Sequence, residues 1–232
     1  MRYVGGKSKV SAKIAAPILA ERKGRMIWEP FCGGLGMSAA WGGGPLLLTD
    51  VHGPLISLYR AFAAGWRPST DCIYDQAAWQ ALSDTDPLKA FVGFGCAYGG
   101  DYGRLVASGR DWNGDTLAAQ ALRSLERTFS TFTDTTFSRV DFLAEPVSPV
   151  DGIIYCDPPY AGVKGYSTGA FDQASFLSRV SEWADAGATV FVSEYAFPIG
   201  TEVLSLDRAR YLKGNGRIAT EKLFRIGPHH AP

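Results

Sequence analysis

The chain has 232 residues, 46% hydrophobic and 20% charged, which excludes wholesale disorder and suits one domain or one domain with an insertion. Its 23 basic and 23 acidic residues cancel, so no global field draws a polyanion and any nucleic-acid contact must come from a local patch. Apolar runs are short and broken, the first residues lack a secretory core, and Cys32, Cys72, Cys96 and Cys156 form no paired motif. The expectation is a protein of a reducing cytoplasm with no membrane span, no signal peptide, no zinc knuckle and no disulfide framework.

In chain order, Val10, Ile14, Ile18 and Leu19 stand at helical spacing within residues 8–23, ahead of Gly24. Residues 26–28 read as a short buried strand, followed by the turn-rich stretch from Glu29 to Gly36 and a short helix through Ala40. Residues 46–50 read as a second strand ending in Asp50, and residues 54–64 as a helix opened by Pro54. From 65 to 133 the pattern is helical (76–82, 87–96 and 115–129), with Asp84 and Asp86 as a turn and a helix cap. Strand patterns resume at 137–141, 152–157 and 188–194, with a helix at 173–187 and a late strand at 220–226. The expected fold is α/β: a doubly wound, Rossmann-like sheet from 1–64 and 134–232, interrupted by a helical insertion at 65–133.

Phe31, Gly33, Gly34 and Gly36 lie between a strand and the expected helix, where small residues admit a ligand to the backbone, although a plain tight turn has the same look. Asp50, at the end of the next strand, is placed to meet ribose hydroxyls. No Gly-Lys-Ser/Thr ending follows, and Glu29 sets a charge beside the turn that would repel a pyrophosphate. A cationic, unphosphorylated nucleoside suits such a loop, and S-adenosylmethionine is one.

Asp157-Pro158-Pro159-Tyr160 follows the apolar strand at 153–156. Strand carboxyl ends are where open α/β sheets bind ligands. The prolines stiffen the backbone and supply carbonyls without competing N–H donors. An acid, exposed carbonyls and an aromatic face suit a planar base with an exocyclic amine. Two acceptors on that amine favour a tetrahedral, nucleophilic nitrogen, and the ring stacks on the base.

Tyr3-Val4-Gly5-Gly6-Lys7, Glu29-Pro30-Phe31-Cys32-Gly33-Gly34, Asp50 and Asp157-Pro158-Pro159-Tyr160, in this order, resemble the Dam-type (D12 class) adenine-specific DNA methyltransferases. The resemblance implies the α-arranged order: methyl-donor motifs, a target-recognition insertion, then the catalytic tetrapeptide. It implies that Tyr3 and Lys7 help hold the donor, that Phe31 and Gly33 line its methionine end, that Asp50 binds its ribose, and that Asp141-Phe142 contacts its adenine. Val192-Ser193-Glu194-Tyr195 resembles the family's late strand beside the target pocket, with no role assigned. Two departures stand out: Leu35 replaces a small residue, which implies a differently shaped loop, and residues 98–104 match the family's DNA-contact stretch only loosely.

The implied activity is site-specific methylation of adenine N6 in double-stranded DNA. The target base is flipped out and the methyl passes directly from S-adenosylmethionine, with no metal and no covalent intermediate. Arg104, Arg110 and Asn113 in the insertion, and Arg210, Lys213, Asn215 and Arg217 in a basic turn, are the DNA-contact candidates. The protein is expected to act as a monomer or weak dimer, in a prokaryotic cytoplasm or a phage-infected host, in a restriction-modification or phage setting. The alternatives are an N4-cytosine or RNA amino-methyltransferase, and an inert DNA- or donor-binding module. Cys156 inside a strand reads as core rather than as a cytosine-C5 nucleophile, and His229-His230 as a frayed tail rather than a metal site.

Overall fold

The computed structural model of the chain describes residues 3, 6–71, 74–97, 100–104, 114–144, 152–159, 171–209 and 218–227. The elements are helix α1 (Ser11–Arg22), strand β1 (Ile27–Glu29), a 3-10 turn (Ser38–Ala40), β2 (Pro45–Asp50) and α2 (Gly53–Ala63). Helices α3 (Gln76–Ala81), α4 (Pro87–Gly95) and α5 (Leu117–Phe129) follow. The remainder is β3 (Asp134–Arg139), β4 (Ile153–Cys156), α6 (Gln173–Asp185), β5 (Thr189–Glu194), β6 (Thr201–Ala209) and β7 (Ile218–Ile226).

The seven strands form one sheet in the order β3-β2-β1-β4-β5-β7-β6. The first five are parallel, and β7 runs antiparallel to both β5 and β6. This is the expected Rossmann-like sheet, with an antiparallel hairpin closing one side. The chain winds outward in one direction from β1 and in the other from β4, and these two strands are neighbours, Ile27 opposite Ile153. A crevice at their carboxyl ends is where such a sheet takes its ligand.

Alternation along the strands makes two cores. Ile27, Leu46, Leu48, Ile153 and Tyr155 face the core that α1, α2, α4 and α5 share. Trp28, Ile154, Cys156, Val190 and Val192 face α6, which contributes Phe176, Val180 and Trp183. Buried Arg22, at the end of α1, donates to the carbonyls of Trp41, Gly43 and Pro45 at 2.8, 2.8 and 3.2 Å. It therefore satisfies the glycine turn that leads into β2.

Helix ends follow the capping chemistry of the sequence. Asp75, Asp86, Thr116 and Asp172 each accept a backbone N–H as N-cap, and the expected cap at Asp86 is among them. The Lys89 ammonium takes the carbonyls of Trp79, Gln80 and Leu82 at 3.0, 3.3 and 2.9 Å, closing the end of α3 from α4.

Three expectations need correction. The helix after the glycine turn is one 3-10 turn, because Gly42 and Gly44, both at positive φ, turn the chain away directly after Trp41. The third strand lies at 134–139, so Asp141 falls beyond its end. β6 was not expected at all. It is the edge strand, with Leu204 and Leu206 alternating against exposed neighbours.

Candidate active site

β1, β2 and β4 end in Glu29, Asp50 and Cys156 followed by Asp157, so parallel pairing alone brings three carboxylates to one edge of the sheet. A cavity of about 240 Å³ opens there. Gly33, Asp50 and Phe142 line it together with Lys7, Asp157 and Pro159.

The glycine loop is held from several sides. The Asp50 carboxylate accepts the Gly33 amide at 3.0 Å on one oxygen and the His52 amide at 2.9 Å on the other. Tyr59 on α2 donates to the Gly33 carbonyl. Tyr3 lies across the loop: a Cβ on Gly33 would stand 2.9 Å from the Tyr3 ring, and one on Gly34 would collide with the Tyr3 Cβ. Gly33 also has φ +43°, so both space and backbone call for glycine there. Leu35 takes φ 60° while its side chain is 1% exposed. The departure from a small residue is thus accommodated by core burial, which offsets a left-handed backbone of about 1–2 kcal/mol.

Glu29 is buried at 2% exposure and receives Ser38 Oγ at 2.8 Å and Trp41 Nε1 at 2.9 Å on the same oxygen. Burial pushes its pKa up to about 8, against those two hydrogen bonds. Burial thus favours its neutral form, whereas the sequence reading took Glu29 with its aqueous charge. Burial likewise raises the Asp50 pKa, opposed by the amides of His52, Gly33 and Val51.

Asp157 sits at the other end of the cavity, and the Lys7 ammonium lies 2.7 Å from its Oδ1 and 3.3 Å from Glu221 Oε1 on β7. Burial alone would lower the Lys7 pKa, but the charges of Asp157 and Glu221 and their hydrogen bonds raise it. Lys7, expected to help hold the donor, lines the same cavity, and its nitrogen also stands against the expected catalytic acid. Gln173, at the start of α6, donates to the Pro159 carbonyl at 3.2 Å and ties the turn to the helix.

Of the other expected residues, Phe31 packs on Phe142, with ring centroids 5.2 Å apart, and both line the cavity with Tyr3 and Asp141. The buried Pro158 follows Asp157. Arg104 is exposed and pairs with Asp101, away from the cavity lining. Tyr160, Arg110, Asn113, Arg210, Lys213, Asn215 and Arg217 lie outside the described residues, as do Cys72 and His229-His230. Cys156 is fully buried and its thiol is pushed well up by burial, then by Asp157 and Glu29, as suits a core cysteine.

Sequence reasoning missed Tyr59, Gln173 and Glu221, and gave Glu194 no role. At the end of β5, Glu194 has a buried Oε2 with no hydrogen-bond partner among the described residues. Burial, opposed by the Tyr195 amide and reinforced by Asp157, pushes its pKa up to about 7. Phe94 of α4 and Tyr102 beyond it meet the cavity through His52, whose ring packs on Tyr102 at 4.6 Å and on Phe94 at 5.4 Å.

The lining fits a cationic nucleoside. Among the described lining residues Lys7 is the one side chain with a full positive charge, and Asp50, Asp141, Asp157 and Asp172 line the same cavity. No group of three or more potential metal ligands occurs among the described residues.

The site therefore combines a doubly wound sheet, a glycine loop after β1, an acid at the end of β2 and a second carboxylate in the same cavity. Residues 3–91 match the model of the D12 class N6 adenine-specific DNA methyltransferase family. That segment carries the loop, Asp50 and Lys7, and the match agrees with the resemblance read from the motifs. Solved structures with similar folds include the rRNA methyltransferase aviRa from Streptomyces viridochromogenes, at 16% identity and TM-score 0.41 over 97% of this chain and 87% of that one. They also include a putative RNA methyltransferase, PH1948, from Pyrococcus horikoshii, at 12% identity and TM-score 0.43 over 95% and 84%. The putative methyltransferase yhhF from Escherichia coli matches at 12% identity and TM-score 0.41 over 99% of both chains. No curated protein matches the chain.

Proposed function

We propose that the chain transfers the methyl group of S-adenosylmethionine to the N6 amine of adenine in double-stranded DNA. The observation that carries the reading is the continuity of one cavity, from Gly33 and Asp50 to Asp157 and Pro159. Direct transfer needs the methyl donor and the accepting amine side by side, and this cavity provides for both. The D12 class match over residues 3–91 supports adenine in DNA as the target.

When bound, the donor supplies an electrophilic methyl on its sulfonium. The chain's residues do the rest. Tyr3 and Lys7 help hold the donor, Phe31 and Gly33 line its methionine end, Asp50 takes its ribose hydroxyls, and Asp141 and Phe142 face its adenine. Asp157 accepts an N–H of the target amine and the Pro158 carbonyl accepts the other, which localises the nitrogen lone pair toward the methyl. Tyr160 stacks on the flipped base. The amine becomes acidic only as the new N–C bond forms, so its proton leaves afterwards to water.

Residues 1–64 and 134–232 serve as the catalytic domain in this reading, with 65–133 as the target-recognition insertion. Arg104, Arg110 and Asn113, with Arg210, Lys213, Asn215 and Arg217, contact DNA. The protein works as a monomer or weak dimer in a prokaryotic cytoplasm or a phage-infected host, as part of restriction-modification or a phage genome. Among the described residues, no helix is long and apolar enough to cross a membrane.

Nucleoside mass spectrometry of duplex DNA, incubated with protein, donor and a chelator, tests the proposal. N6-methyladenine is expected. N4-methylcytosine as sole product, methylation of RNA alone, or donor binding with no transfer would overturn it.

A further inference from the structure

Lys7 faces two carboxylates, and only Asp157 belongs to the transfer chemistry proposed above. The second, Glu221, is 2% exposed and Lys7 is 4% exposed. The ammonium is 2.7 Å from Asp157 and 3.3 Å from Glu221. Screening is weak at such depth, so both attractions are strong and the loss of either partner is felt by the other.

Glu221 arrives from a distant part of the fold. It lies on β7, opposite Leu206 of β6, and β5 separates that strand from β4 and the Asp157 turn. A buried glutamate is a costly way to fill a strand position, since both β-propensity and desolvation disfavour it. Lys7 is among the groups it meets there.

With Asp157 as the acceptor of the target amine, the Lys7 contact poses a chemical problem. An ammonium at hydrogen-bonding distance withdraws charge from the carboxylate and weakens it as an acceptor for the amine N–H. Displacing that ammonium with nowhere to go would strand a buried cation. Glu221 already stands in range: a shift of about half an ångström shortens its long 3.3 Å contact to the length of a strong charge-assisted hydrogen bond.

We propose that Glu221 is a positioning residue for methyl transfer, drawing the Lys7 ammonium onto itself when the target amine engages Asp157. The inference rests on the reading of Asp157 as the amine acceptor. No bond is made or broken in this step, and no proton changes owner. One ammonium passes its main hydrogen bond from one carboxylate to the other, and Asp157 is handed from cation to substrate.

Single-turnover methylation of duplex DNA at saturating donor, beside calorimetry with donor alone, tests the inference on the full chain. Glu221→Gln leaves Lys7 bound to Asp157, and its methyl-transfer rate is expected to fall about 10- to 100-fold. Its donor affinity stays close to wild type. The double variant Lys7→Met/Glu221→Gln removes the obstructing cation and is expected to be faster than Glu221→Gln, a rescue that a merely structural role does not give. Glu221→Asp serves if the glutamine variant does not fold. It keeps the charge one methylene further back, and its rate falls at an unchanged melting temperature.

A wild-type rate in the folded Glu221 variant, or a double variant no faster than Glu221→Gln, overturns the inference while leaving the methyltransferase reading intact. Wild-type protein that methylates no DNA overturns that reading first, and this inference with it.

Discussion

The phenol of Tyr59 donates to the carbonyl of Gly33 at 2.6 Å, and both groups are buried. A helix that begins after β2 thereby fixes the loop that follows β1, and the glycine-loop end of the cavity takes its shape from a residue that does not line it. Burial holds the Tyr59 pKa well above its usual value, so the hydroxyl remains a donor throughout the working pH range.

Tyr59→Phe keeps the ring in the core and leaves the Gly33 carbonyl without this partner. A loss of about 1–3 kcal/mol in stability is expected, together with weaker donor binding. A denaturant melt and a donor titration measure the two. Unchanged values in both would mean that the loop is held without Tyr59.

Asp157→Ala is expected to abolish methyl transfer while donor binding and folding persist, because the acceptor acts on the target amine and mainly in the transition state. Lys7 keeps Glu221 in that variant, so the buried ammonium retains a counter-charge. Asp157→Asn retains a carbonyl acceptor without the charge, and separates geometry from electrostatics by the trace activity it leaves. Near-wild-type turnover in Asp157→Ala would remove Asp157 from the chemistry.

Asp50 has a double duty, which makes its two simplest substitutions unequal. Asp50→Ala removes the acceptor of both the Gly33 and the His52 amides, and a loss of about 2–4 kcal/mol in stability follows from two orphaned buried donors. Asp50→Asn keeps one of those acceptors and is expected to lose about half as much. Both are expected to weaken donor binding. A donor affinity equal to wild type in Asp50→Asn would restrict Asp50 to the architecture of the loop.

Glu29 makes stability depend on pH. In the fold it holds its proton up to about pH 8, whereas unfolded it releases the proton near 4.5. The folded state binds more protons between those values, so stability falls as pH rises through that window and levels off above it. Glu29→Gln, which has no proton to release, is expected to melt higher relative to wild type at pH 8.5 than at pH 5.5. An equal difference at the two pH values would show that Glu29 is already ionised in the fold.

Much of the sheet and much of the cavity lining were legible because their signals are local. Four of the five parallel strands are apolar runs, and the acids that matter follow directly at their ends, so the placing of Asp50 and Asp157 needed only the rule that strand ends gather. Asp141 and Phe142 line the cavity as expected, even though the strand before them ends two residues sooner than the apolar pattern suggested. What escaped depends on distance along the chain or on environment. Glu221 acquires meaning only when β7 comes to lie beside β5, and Tyr59 only when α2 folds back on the glycine loop. Glu29 was read with its aqueous charge, and nothing in its neighbours announces the depth at which Ser38 and Trp41 bury it. The edge strand β6 carried a fair alternating signal at Leu204 and Leu206 that went unused.

The strand order has a consequence for synthesis on the ribosome. β6 is made before β7, yet it joins the sheet only through β7, which lies between it and β5. Until the final strand emerges, β5 offers an unpaired edge and β6 has no place to dock. The pair between Arg225 and Glu21 on α1, at 2.7 Å, spans 204 positions and is made at the same late moment. Lys7 likewise waits for Glu221, so a nascent chain holds the whole glycine loop and Asp157 long before it holds the partner of the lysine that guards them.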